Sequence, residues 1–161
     1  MTEPPSKKSA DIIPLPAKQE KLVGRLAQDK WSKQVIKLGY TALPNLLLQA
    51  QARLEITPPE LNVLLQIAQH WWEAGNNPHP SKDSIANRMG VSPRQVQRIL
   101  TQLEKKKLVA RIYRYSGGRQ INTDYSFQPL IDQLKALEPE FSKEVEQKRL
   151  RKKKLEKAKA S

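Results

Sequence analysis

The chain has 161 residues, with 29 Lys or Arg against 16 Asp or Glu, a formal net charge of +13 and no cysteine. Its mean hydropathy of -0.68 excludes an integral membrane protein built of helices, and no stretch approaches the ~20 apolar residues that a spanning helix needs. The length suits one compact domain of roughly 100 residues plus appendages; the missing cysteines exclude disulfides and thiolate metal sites, and the basic excess favours polyanionic partners, with anionic membrane as the competing surface.

Residues 1–30 carry Pro4, Pro5, Pro14 and Pro16 among Lys, Ser, Glu and Gln, and read as a flexible arm with a short helix around Leu22 to Leu26. No apolar segment follows the opening Met-Thr-Glu-Pro-Pro-Ser-Lys-Lys, so no secretory signal is evident and a cytoplasmic, nucleoid-associated location is expected. Apolar residues become dense over 31–137, which sets the central domain. Within it, Lys37 to Leu43 reads as a short extended segment closed by Pro44, and Asn45 as the cap of a helical stretch from Leu46 to Leu54. Thr57 caps a stronger helix that starts Pro58-Pro59-Glu60 and is expected to bury Leu61, Leu64, Leu65, Ala68 and Trp72. The Trp71-Trp72 pair at its end reads as core and interface packing rather than base stacking. Gly75 to Pro80 is a loop by its turn chemistry.

Residues 81–108 are the most informative. Ser81 can cap a helix with Ile85, Ala86 and Met89 on its inner side, and Gly90 follows where the chain must leave that helix with positive φ. Ser92 caps a second helix with Pro93 at its first position, where the missing N–H costs nothing. Val96, Ile99, Leu100 and Leu103 form its apolar stripe. The opposite face holds Arg94, Arg98, Thr101 and Lys105, flanked by Gln95, Gln97 and Gln102, with no acidic residue. A plain helical hairpin would share the apolar pattern, but it does not call for Gly, Ser-Pro and an all-basic outer face together. Two helices in this order read as a helix-turn-helix laid against nucleic acid.

Leu108 to Tyr115 and Gln120 to Phe127 are β-prone and separated by Ser116-Gly117-Gly118-Arg119, a hairpin turn. The order implies a mainly α fold with a small β-hairpin wing: a winged helix-turn-helix. A wing over 109–127 carries Gly117, Gly118 and Arg119 at its tip and Arg111 and Arg114 along its strand, placed to meet phosphates or the minor groove. An ordinary surface hairpin with solvated arginines is the alternative.

The run Pro80-Ser81, Ile85-Ala86, Met89-Gly90-Val91-Ser92, Val96-Gln97-Arg98, Leu103-Glu104-Lys105-Lys106 and Leu108-Val109, ending in Tyr125, resembles the winged helix-turn-helix domains of GntR- and MarR-like regulators. The upstream Gly39-Tyr40-Thr41-Ala42-Leu43-Pro44-Asn45, followed by Leu-rich helices, is closer to domains of phage and plasmid replication proteins. The resemblance covers about residues 37–128 and implies DNA binding without specifying a biological role. One departure stands out. The family commonly has Gly before the strand-leading Leu, and this chain has Lys107 there; a left-handed Lys107 would cost about 1 kcal/mol.

Groove recognition then assigns base-edge contacts to Arg94, Gln95 and Arg98, since Arg can clamp guanine O6 and N7 and Gln can pair with adenine N6 and N7. Backbone contacts fall to Ser81, Ser92, Gln97, Thr101, Lys105, Arg111 and Arg114. Residues 138–161 read as a basic tail, helical or disordered. From Phe141 onward it holds nine Lys or Arg against three Glu, so phosphate attraction dominates its character. Lys148, Arg149, Arg151, Lys152, Lys153 and Lys154 are its cationic centre. Phe141, Val145, Leu150 and Leu155 are too irregularly spaced for a two-stranded coiled coil.

Catalysis finds no support: His70 and His79 lack neighbours at metal-ligand spacing, and there is no Gly-rich phosphate loop, nucleophile motif or carboxylate cluster. No cofactor, metal or enzymatic activity is expected. The partners expected are double-stranded DNA, a second copy if the protein is a homodimer, and replication or transcription proteins engaged through the arms. Three functions stay open: a sequence-specific transcriptional regulator of a mobile element or host operon, a replication-initiation or partition accessory protein binding origin repeats, and an RNA- or protein-binding winged helix inside a larger assembly.

Overall fold

The computed structural model describes residues 26–159, so most of the arm expected over 1–30, with the helix around Leu22 to Leu26, lies outside the described residues. The chain divides into two compact units, Met1–Tyr40 and Thr41–Ser161. In the first, residues 26–31 form helix α1, and a single turn follows, α2 (Lys33–Ile36), capped by Ser32 at φ 71. Leu26, Trp31, Val35, Leu38 and Tyr40 of this unit are exposed.

The second unit runs α3 (Asn45–Gln49), α4 (Pro58–Ala68), α5 (Lys82–Met89), α6 (Pro93–Lys105), β1 (Ala110–Ser116), β2 (Arg119–Ser126) and α7 (Gln128–Lys159). The two strands pair antiparallel, with Ala110 opposite Ser126 and a register shift after Arg114. Helices around one core, with a helix-turn-helix leading into a two-stranded wing, make this a winged helix-turn-helix domain. The core gathers Leu64 and Ile67 of α4, Ile85 and Ala86 of α5, Val96, Ile99, Leu100 and Leu103 of α6, Tyr125 of β2, and Leu130 and Leu134 of α7. Fully burying side chains of this size contributes about 1.5–3 kcal/mol each, which is why the α6 stripe decides how the helix is turned.

Local chemistry explains the boundaries. The Ser81 hydroxyl accepts from the Ser84 amide at 3.1 Å, and that of Ser92 from the Gln95 amide at 3.2 Å. Gly90 takes φ 65, and the Val91 amide bonds back to the Ala86 carbonyl at 3.1 Å. α6 ends the same way: the Leu108 amide reaches the Leu103 carbonyl at 2.9 Å and the Lys107 amide that of Glu104 at 3.0 Å, a Schellman closure. Gln133 of α7 donates to the carbonyls of Lys106 and Lys107, at 3.1 and 2.7 Å, and so helps satisfy the backbone where α6 ends. Lys107 sits at φ 55, the left-handed conformation its position demands. Replacing Lys107 with Gly should therefore stabilise the protein by about 1 kcal/mol, read as a higher urea midpoint at unchanged slope. A midpoint that stays put or falls would show that no strain is held there.

Three expectations are corrected. The segment expected to be extended from Lys37 begins in turns instead: the Leu38 and Gly39 amides close onto the Val35 and Ile36 carbonyls, at 3.2 and 2.9 Å, and Tyr40 to Leu43 form no helix or strand. Asn45 is the first helical residue and Pro44 holds the cap position; α3 ends at Gln49, and turns carry the chain to Glu55 at φ 53. On α4 the buried stripe is Glu60, Val63, Leu64 and Ile67, while Leu61, Leu65 and Ala68 are half-buried. Because α4 stops at Ala68, the two tryptophans leave the helical period. Trp71 packs with its ring centroid 5.4 Å from that of Phe127, and Trp72 turns outward, 76% exposed.

α7 is a continuous helix of 32 residues, and both Pro139 and the composition change at 137/138 fall inside it. Its first half packs through Leu130, Leu134, Leu137 and Phe141, and Arg53 holds Glu140 at 2.5 Å. Beyond Phe141 the side chains described are exposed.

Candidate nucleic-acid interface

α6 is divided cleanly between core and solvent. Val96, Ile99, Leu100 and Leu103 are buried, and Arg94, Gln95, Arg98, Gln102 and Lys105 are exposed on the other side. Among the described residues, no carboxylate lies within ion-pair distance of Arg94, Arg98 or Lys105. Arg94 and Gln95 stand in the first turn beside the Ser92 cap, where the helix dipole also favours an anion. Thr101 donates its hydroxyl to the Gln97 carbonyl at 3.0 Å and is half-buried. Gln97 accepts from Lys82 Nζ at 2.9 Å, which ties the start of α5 to α6.

The wing differs from a row of free cations. Arg111 donates through Nε to Glu104 Oε2 at 2.9 Å, makes a second, closer bond through its terminal nitrogen, and keeps only 10% of its side chain exposed. Its guanidinium lies 5.9 Å from the Tyr113 ring centroid. That bond, opposed by burial and reinforced by the guanidinium charge, holds the Glu104 carboxyl below the usual carboxylate range. Arg111 is thus a clasp between wing and α6, and not an open phosphate contact. Arg114 bonds the buried Asp124 at 2.5 Å yet leaves 62% of its side chain exposed. Gly117 and Gly118 turn the tip with φ 57 and 75, and Arg119 stands exposed beside them.

Between the wing and the helices lies a polar cleft of about 320 Å³. Lys82, Gln97, Tyr113, Gln120 and Thr123 line it, and sequence reasoning had passed over four of the five. The strand alternation that puts Tyr113 on the face of Arg111 was the available signal. Ser81 and Ser92 are exposed, each with its hydroxyl oxygen already accepting a cap bond. Lys148, Arg149, Arg151, Lys152, Lys153 and Lys154 are exposed along the far half of α7. Their ion pairs are loose: Lys148 to Glu144, Arg149 to Glu146 and Lys152 to Glu156, each at 4.0 Å.

Among the described residues no helix is long and apolar enough to cross a membrane, and no group of three or more His, Asp or Glu could hold a metal ion.

Residues 54–109 match the family model of a helix-turn-helix domain, a span running from the end of the α3 turns to the start of the wing. No curated protein sequence matches the chain. Among solved structures, the chain is similar to the N-terminal domain of DnaD protein from Geobacillus kaustophilus, at 25% identity over 81% of this chain and 96% of that one, with a TM-score of 0.47. It is also similar to YusO protein from Bacillus subtilis, at 22% identity over 89% of this chain and 99% of that one, TM-score 0.38. A third similarity is to MepR of S. aureus, solved as a complex with DNA, at 18% identity over 90% of this chain and 98% of that one, TM-score 0.41.

Proposed function

We propose that the protein is a sequence-specific duplex-DNA-binding regulator that lays α6 in the major groove and sets its wing against the adjoining backbone or minor groove. The observation that carries this reading is the outer face of α6. Arg94, Gln95 and Arg98 project from a helix whose other side is locked in the core, with no carboxylate among the described residues within ion-pair distance of either arginine. A rigid helix bearing free bidentate donors suits base edges, because discrimination needs donors held in one register. Lys105, Arg114 and Arg119 supply phosphate contacts around it, with Lys82 at the cleft; Ser81, Ser92, Gln97 and Thr101 are secondary backbone contacts, since their polar atoms already serve the fold. Arg111 acts by fixing the wing. Selecting bound duplexes from a random pool tests the reading: a recovered consensus supports it, and recovery without sequence bias overturns it. A palindromic consensus would add a homodimer. Mapping bound sites to promoters supports regulation of transcription; repeats at a replication origin would replace that role with an accessory one in replication.

The exposed cations of α7 add a sequence-independent grip. Each phosphate they neutralise contributes about 0.9 to the slope of log affinity against log salt. Truncation after Ser142 should make that slope visibly shallower while leaving the consensus unchanged. An unaltered slope in salt titrations would remove the tail from the interface.

A further inference from the structure

A second site lies where the loop after α4 meets the wing, away from α6. Trp72 is 76% exposed there, and its side chain borders a cleft of about 420 Å³ together with Glu73, Asn76, Asn77, His79 and Arg114. The residues that line the cleft beside this indole are polar or charged: Glu73, Asn76, Asn77, His79 and Arg114. A polar lining of this kind suits a small polar ligand better than an apolar protein contact. The groups are sorted by chemistry. Trp72 offers a flat π face; Asn76 donates to Glu73 Oε2 at 2.6 Å, leaving its carbonyl oxygen and a second N–H free, next to the Asn77 amide. Arg114 is anchored on one side by Asp124, which is 2% exposed, so its guanidinium is held at the rim with donors to spare. His79 borders the same cleft. His70 also borders the cleft, and burial, then the charges of Arg88 and His79, push its imidazole below the ordinary 6.5; Arg88 lies 2.9 Å from its Nε2.

A flat ring, a polar edge and an anionic end are the three parts of a nucleotide. We propose that this cleft binds a single unpaired nucleotide, its base stacked on Trp72, its polar edge or sugar on Glu73, Asn76 and Asn77, and its phosphate at Arg114 and His79. The cleft volume is in the range of small-ligand sites, about 300–1,000 Å³. The nucleotide can be free in solution or splayed out of a single strand, and the chemistry of recognition is the same. None of the residues that line the cleft belongs to α6, and Arg114 is the one residue it shares with the duplex contacts proposed above.

Calorimetric titration of the full chain with adenosine monophosphate, ribose 5-phosphate and a short oligodeoxyadenylate tests the site. The monophosphate should bind about tenfold or more tightly than ribose 5-phosphate, and W72A should weaken it by about the same factor, the loss expected when one stacked base is removed. R114Q should weaken both phosphates, and R98A should change neither. Equal binding of ribose 5-phosphate, an unaffected W72A, a matching loss in R98A or no binding of any probe each overturns the proposal. If the strand's Trp72-dependent binding is tighter than that of the free nucleotide, the source is single-stranded nucleic acid; if equal or weaker, it is the free nucleotide. Trp72 is exposed, so W72A should leave the far-UV circular dichroism spectrum and its thermal melt unchanged and the comparison valid.

Discussion

K106M should lower the stability of the protein by about 3 kcal/mol, because it strands a buried carboxylate. Lys106 Nζ lies 2.8 Å from Glu60 Oε2 and 2.6 Å from the Glu55 carbonyl, just past the end of α6. Glu60 is 1% exposed, and the Thr57 amide and hydroxyl each donate to the same Oε2 at 2.8 Å. Its other oxygen, Oε1, has no hydrogen-bond partner among the described residues. The pair therefore links the cap of α4 to the end of α6, and its loss leaves a charge that two neutral donors only partly satisfy. Burial, the largest influence, pushes the Glu60 carboxyl up, yet the Lys106 and Thr57 hydrogen bonds and the Lys106 charge together hold it below its ordinary 4.5. In the parent, this contribution is present above the unfolded value and lost as pH falls through the folded one. In K106M, burial is no longer countered by the ammonium, the carboxyl rises above its unfolded value, and stability attached to this group is regained as pH falls. Urea midpoints across pH 3–7 should therefore show opposite slopes for this contribution, seen in the difference between the two proteins. A difference that is small and flat with pH would mean that water reaches Glu60 and the pair carries little.

R98A should cost about 1–3 kcal/mol of binding to the selected duplex, and should relax preference at one base position. The physical reason is the bidentate geometry of a guanidinium held by a fixed helix: the wrong base leaves a donor pair without acceptors. K105A makes the contrast, since a lysine directed at phosphate should weaken all sequences alike and reduce the salt slope by about 1. Titrations against the consensus duplex and its single-base variants separate the two outcomes. An R98A protein with full affinity and full selectivity would place the reading face elsewhere on the domain. Neither variant should alter folding much, because Arg98 and Lys105 are exposed and unpaired with any carboxylate among the described residues.

How legible each part was follows from the range of the interactions that shape it. The two caps, the left-handed Gly90, the left-handed Lys107 and the Gly117-Gly118 tip were readable because each depends on bonds between residues no more than five apart. The α6 stripe was readable because a helix repeats its faces every 3.6 residues. Where the period was extended too far, reading failed. Trp72 was placed on the α4 stripe, but α4 ends at Ala68 and the chain rotates Trp72 into solvent. The buried side of α4 was likewise offset, since a charged Glu60 looks like a surface residue until Lys106 is brought to it. The arginines of the wing looked equivalent in sequence, and their partners separate them: Arg111 is held by Glu104, Arg114 by Asp124, while Arg119 stands at the exposed tip.

The sequence by itself determined the helix-turn-helix and wing of this protein, the caps and turns within them, the stripe that α6 buries, the basic face it presents and the basic character of its last residues. Those features are written in contacts within a turn or two of helix and in side-chain chemistry that does not change on folding. Only the tertiary structure decided which charges remain available. Glu60 and Lys106 are 46 residues apart and Arg53 and Glu140 are 87 apart, so each pair exists only after separate elements have packed. The same packing withdraws Arg111 into a clasp and leaves Trp72 standing free beside Arg114. Charge is a property of composition, but its availability to a partner is set by what folding places within hydrogen-bond reach of it.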